Sequence, residues 1–161
     1  MNAGKSTMLL QANHNYQERG MNTVIYTSSV DDRYGKKEIV SRIGLRADSN
    51  IFSEGTNIYE EVVNLNKTKK VDCVLIDEAQ FLNKYQVEQL GKIVDILDTP
   101  VLTFGIRTDF KGNLFEGSEY LLAWADNLKE IKTVCHCGRK ATMVLRLDEN
   151  GNVLETGDQI E

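Results

Sequence analysis

The chain has 161 residues, 41% hydrophobic and 27% charged, with a net charge of -5 at pH 7 and three cysteines. That length suits one main domain with a real core, and the acidity argues against a DNA or RNA partner, which needs a basic face. No apolar run approaches the roughly 20 residues that span a bilayer and no signal peptide opens the sequence, so a cytoplasmic location without a membrane partner is expected.

Met1-Asn2-Ala3-Gly4-Lys5-Ser6-Thr7 reads as the closing part of a G-x-x-x-x-G-K-[ST] phosphate loop whose opening positions, and the strand that normally feeds it, are missing. In such a loop the backbone N–H groups and the positive end of the following helix wrap the phosphates of ATP. Lys5 reaches the terminal phosphates and the Ser6 hydroxyl binds Mg²⁺. Helical spacing then runs from about Lys5 to Arg19, and Gly20 supplies the stop.

Residues 23–27 (Thr-Val-Ile-Tyr-Thr) are β-branched and aromatic enough to form a strand, and Asp31-Asp32-Arg33-Tyr34-Gly35 reads as a loop. A helix is predicted from Asn57 to Leu65 and a strand from Asp72 to Ile76. That strand ends in Asp77-Glu78, as a Walker-B element does, with the acids at the carboxyl end where open α/β sheets place ligands. Asp77 suits a hydrated Mg²⁺, and Glu78 is left free to take a proton.

Asn83 is a good N-cap for a helix running to about Leu97, and Pro100 ends that connection. Val101 to Gly105 is the next strand, and a helical stretch near Ser118 to Ala125 leads towards Ile131–Val134. After Cys137 the pattern changes: Ala141–Leu147 and Asn152–Glu155 read as strands around a Glu149-Asn150-Gly151 turn.

The alternation predicts an α/β fold: a P-loop NTPase-type parallel sheet flanked by helices, residues 1–134, followed by a small β-hairpin appendage, residues 135–161. Cys73 and Trp124 are assigned to packing, His14 to the surface or packing, and Tyr16, Tyr26 and Tyr120 carry no specific signal.

The phosphate-loop residues, Asp31-Asp32-Arg33, Asp77-Glu78-Ala79-Gln80-Phe81-Leu82, the segment Phe104–Phe110 and Cys135-His136-Cys137-Gly138-Arg139, in this order, resemble the bacterial type II thymidine kinase family. The resemblance covers essentially the whole chain, and Asp-Glu-Ala-Gln-Phe-Leu after a strand is its most specific part. It implies transfer of the ATP γ-phosphoryl group to the 5′-hydroxyl of thymidine or deoxyuridine in deoxynucleoside salvage. Glu78 is then the base, and Ser6 and Asp77 serve the metal. Arg33 faces the phosphates, while Asp31 lies near the metal and sugar. Ala79 and Gln80 belong to the substrate loop, and Met1, Phe81, Phe110 and Phe115 line the base pocket.

The resemblance also implies a homotetramer and inhibition by the triphosphate end product. Cys135 and Cys137 then form half of a structural Zn²⁺ site of a zinc-ribbon-like appendage. The family's second pair and its substrate-closing lid lie in a segment missing from this sequence, and His136 is expected to point away from the metal. Competing readings are another phosphate-loop ATPase, a nucleoside monophosphate kinase using Arg33, Arg42, Arg46 or Arg107, and a fragment that binds nucleotide without turnover. A GTPase is disfavoured because Asn66-Lys67-Thr68-Lys69 lacks the acid of a guanine-reading segment.

Overall fold

In the computed structural model the described residues are 4–31, 38–41 and 44–158, with the side chains of Asp31, Glu38 and Val40 outside the description. Four parallel strands form the main sheet: β1 (Thr23–Ser28), β4 (Asn50–Phe52), β5 (Cys73–Ile76) and β6 (Val101–Thr103), in the spatial order β4-β1-β5-β6. A short antiparallel pair, β2 (Glu38–Val40) and β3 (Arg46–Asp48), stands beside it.

The helices are α1 (Lys5–Glu18), α2 (Ile58–Thr68), α3 (Lys84–Leu97) and α4 (Glu116–Trp124). Asn57 caps α2 by accepting from Glu60 N–H at 3.1 Å, and Asn83 caps α3 in a reciprocal capping box with Gln86. Both helix starts therefore follow from the residue just before the apolar periodicity.

Every side chain of β5 is buried, as a central parallel strand covered on both faces requires. One face packs Tyr26, Val74 and Ile76 against Ile58 and Val62 of α2 and Leu90 and Ile93 of α3. The opposite face packs Ile25, Cys73 and Leu75 against Leu9 and Leu10 of α1 and Ile39 of β2. Helices thus cover both faces, as the alternation predicts. Cys73 lies in the core as expected, where burial pushes its thiol up to about 11.

Several expectations are corrected. The strand predicted through Gly105 stops at Thr103, because the chain turns after Phe104 N–H has donated to Ile76 carbonyl. The segments 141–147 and 152–155 form no strands and are joined only by the isolated bridge of Leu147 with Val153. A two-stranded hairpin needs an apolar face covered by something else, and among the described residues none after Ser118 is buried. The turn itself does form: Asp148 accepts from the backbone of Asn150 and Asn152, and Gly151 takes φ 84°. Trp124, assigned to packing, does pack on Tyr120 of its own helix with ring centroids 4.9 Å apart, though it is 47% exposed. Tyr26, which carries no signal in the sequence, is fully buried and donates to Glu61 at 2.8 Å. The strands β2, β3 and β4 lie in a stretch for which no elements are predicted from the sequence.

Candidate functional site

The carboxyl ends of β1 and β5 and the start of α1 meet at one rim of the sheet. Gly4 is the N-cap of α1 with φ 74° and ψ 24°, a left-handed conformation suited to glycine, and without a side chain it gives the helix start no cap. The amides of the first helical turn therefore have no side-chain cap, the condition under which a helix start receives an anion. Lys5, Ser6 and Thr7 occupy that turn.

Ser6 points across to β5: its hydroxyl donates to Asp77 Oδ2 at 3.4 Å, over a separation of 71 residues. Asp77 is only 5% exposed, and its backbone N–H is fixed by Tyr26 carbonyl at 2.8 Å. Burial, and then the charge of Glu78, raise the Asp77 carboxyl to about 6. The Glu78 N–H bond, the Lys5 ammonium and the Ser6 hydroxyl pull in the opposite direction and do not cancel that rise.

Glu78 itself has φ 49° and ψ 42°, an uncommon conformation for a residue with a Cβ. The strand ends at Ile76 and the chain enters a 3-10 turn over Ala79–Phe81, so Glu78 is the hinge between them. Gln80 is 3% exposed and donates from Nε2 to Glu78 Oε2 at 2.5 Å. Its Oε1 faces Ile106 N–H at 3.4 Å, which ties the turn to the loop after β6.

Two glycines make this close approach possible. A Cβ on Gly105 would sit 2.9 Å from Gln80 Oε1, and one on Gly117 would sit 2.5 Å from Ala79 carbonyl and 2.7 Å from that of Leu82. The start of α4 therefore presses directly on the 79–82 backbone. Sequence reasoning did not single out either glycine, since neither occupies a turn motif.

The aromatic residues divide into two groups. Phe81 and Phe115 meet edge to face with centroids 5.7 Å apart, and Phe115 is buried, so both pack at the foot of the turn. Phe110 stands apart, on the loop closed by the Thr108–Leu114 bridge, with the Arg146 guanidinium 4.3 Å from its ring centroid. Met1, Asn2, Ala3, Arg33, Arg42 and the Asp31 side chain lie outside the described residues.

At the cysteine pair, Gly138 N–H donates to Cys135 carbonyl at 2.9 Å, closing a tight turn. His136 Nδ1 lies 3.4 Å from Cys135 Sγ. Hydrogen bonds from Cys137, backbone first, lower the Cys135 thiol. Among the described residues no group of three or more His, Cys, Asp or Glu stands ready to hold a metal ion. No helix among them is long and apolar enough to cross a membrane.

The model of the family described as thymidine kinase matches residues 1–160. The thymidine kinase of Vibrio vulnificus strain YJ016 is 59% identical over 160 residues, which is 99% of this chain and 83% of that protein. That of Shewanella oneidensis is 58% identical over 160 residues, 99% of this chain and 83% of that protein. That of Haemophilus influenzae is 56% identical over 161 residues, 100% of this chain and 83% of that protein. With the family model matching residues 1–160 and these relatives covering nearly the whole chain, the chain belongs to the thymidine kinase family.

Proposed function

We propose that the chain transfers the γ-phosphoryl group of ATP to the 5′-hydroxyl of thymidine, giving the monophosphate. The observation that carries this reading is the Ser6 hydroxyl directed at the buried Asp77, with Glu78 held beside it.

A carboxylate buried to 5% exposure beside a hydroxyl is an oxygen donor set that suits Mg²⁺, since a bound cation would offset the cost of burying the charge. Asp77, through water, and Ser6 would hold the ion, which when bound neutralises charge on the phosphates. The amides of residues 1–7 and Lys5 cradle those phosphates, and by family resemblance Arg33 faces them. Phosphoryl transfer asks the protein mainly for positioning and charge, and these groups supply both.

Glu78 accepts the proton of the nucleoside hydroxyl as it attacks phosphorus. Its exposure is intermediate and Gln80 leaves one carboxylate oxygen for that task. Ala79 and Gln80 belong to the loop that places the substrate. Phe110 and Met1 face the base, Phe81 and Phe115, packed edge to face, support the turn beside it, and Asp31 lies by the sugar and metal.

The division into residues 1–134 and a zinc-ribbon-like appendage at 135–161 is part of the same reading, supported by the lack of buried side chains after Ser118 among the described residues. Cys135 and Cys137 supply two thiol ligands of the four that tetrahedral Zn²⁺ takes; the described residues do not complete the set, and no step of the reaction runs through it. A homotetramer and inhibition by the end-product triphosphate rest on family resemblance, and a cytoplasmic site of action on the sequence composition.

The test is formation of thymidine monophosphate from thymidine, ATP and Mg²⁺ by the purified chain, beside thymidine monophosphate as a rival acceptor. Thymidine-dependent transfer upholds the reading. Phosphate release that is independent of thymidine would point instead to an ATPase, and nucleotide binding without either would overturn the claim of turnover.

A further inference from the structure

Phe110 carries two cations over its ring. The Arg146 guanidinium lies 4.3 Å from the ring centroid and the Lys111 ammonium 5.4 Å from it. The same two cations reach successive carbonyls near the end of the chain: Arg146 Nη1 donates to Asp158 carbonyl at 3.1 Å and Lys111 Nζ to Gly157 carbonyl at 2.5 Å. Both partners of this clasp are anchored. Asp109 accepts from the N–H groups of Lys111 and Asn113, each at 2.9 Å, which fixes the loop carrying Phe110. Arg146 carbonyl accepts from Leu154 N–H at 2.9 Å, which fixes the segment carrying the guanidinium. Met143 adds a second contact, its Cε being 3.4 Å from where a Cβ of Gly112 would stand.

We propose that Arg146 is a positioning residue of the nucleoside pocket, holding the Phe110 ring in place and tying the 157–158 backbone to it. This rests on the reading of Phe110 as a base-pocket side chain. With no buried side chain after Ser118 among the described residues, the 143–158 segment has little apolar core to place it, and polar and cation–ring contacts take over that task. The planar guanidinium can stack on a ring and donate to a carbonyl at once, which a lysine ammonium does less well. A ring already fixed costs the incoming base no ordering entropy.

The experiment measures dissociation constants of thymidine and of ATP by titration calorimetry on the full chain, for wild type, Arg146→Met, Arg146→Lys, Phe110→Leu and the Phe110→Leu/Arg146→Met double variant. Arg146→Met keeps the apolar stem, so its thymidine affinity should fall about three- to tenfold, the range of a partly desolvated cation–ring contact, with ATP affinity unchanged. Arg146→Lys should recover part of the loss, and Arg146→Met should add little in the Phe110→Leu chain. Equal losses for thymidine and ATP, or an undiminished Arg146→Met effect without the Phe110 ring, would overturn the proposal. Phe110→Leu weakening thymidine while Arg146→Met does not would overturn it alone. Wild-type thymidine affinity in Phe110→Leu would overturn the pocket reading and the proposal with it.

Discussion

The side-chain amide of Gln80 bridges the two halves of the site: its nitrogen donates to Glu78 Oε2 at 2.5 Å and its oxygen faces Ile106 N–H at 3.4 Å. The carboxylate at the end of β5 is thereby set by the loop that follows β6, and both are set by the close approach of Gly105.

Replacing Glu78 by glutamine keeps the shape of this bridge and removes the proton acceptor. Transfer to thymidine should fall by about 10²- to 10⁴-fold, the usual worth of a general base. Nucleotide affinity should hold, because the phosphate cradle is untouched. Equal loss of ATP binding in calorimetry would contradict the role given to Glu78. Lys5→Ala should behave in the opposite manner, weakening ATP binding as well as turnover, and unchanged ATP affinity would contradict the phosphate-loop reading.

The Asp77 carboxyl, raised to about 6 in the fold from an ordinary 3.8, gives stability a definite slope with pH. Between those values the folded chain binds more protons than the unfolded one, so stability should fall as pH rises across that window and stay lower above about 6. The full effect is of order 2–3 kcal/mol. Asp77→Asn should flatten the slope in urea titrations at pH 4.5 and 7. If Asp77 helps hold Mg²⁺, the ion should raise the midpoint of wild type at pH 7 and leave that of Asp77→Asn in place.

At Gly117 a methyl group would lie 2.5 Å from one backbone oxygen and 2.7 Å from another, and neither can turn away as a side chain can. Gly117→Ala should destabilise by about 1–3 kcal/mol, the usual cost of overpacking. Because the strained backbone is that of residues 79–82, turnover should decline further than stability does. A chain with wild-type melting and wild-type kcat would show that the start of α4 does not brace the turn.

Tyr26→Phe keeps the buried ring in β1 and deletes the 2.8 Å hydrogen bond to Glu61 of α2. A loss of about 1 kcal/mol is expected by chemical denaturation, with no change in nucleotide affinity. A larger loss would mean that the Glu61 carboxylate depends on the tyrosine hydroxyl for more than one bond.

The sequence by itself determined the order of the main elements and the residue types of the reaction site. Periodicity and caps located α1, α2 and α3, and an apolar run located β5, since each depends on neighbours close in the chain. The acids at the end of that run and the Gly4-Lys5-Ser6 tail were readable for the same reason, each being a short motif with its own chemistry. Tertiary structure alone decided what depends on residues far apart. Ser6 and Asp77 meet only because α1 and β5 share one face of the sheet, and the rise in the Asp77 carboxyl comes from burial. The short strands β2 to β4 carry too few residues for a periodic signal, and the segment after Cys137 keeps alternating side chains yet forms no strands where no core covers them. Gly105 and Gly117 show the same limit most directly, because a glycine required by a neighbour's backbone leaves no mark in its own local sequence.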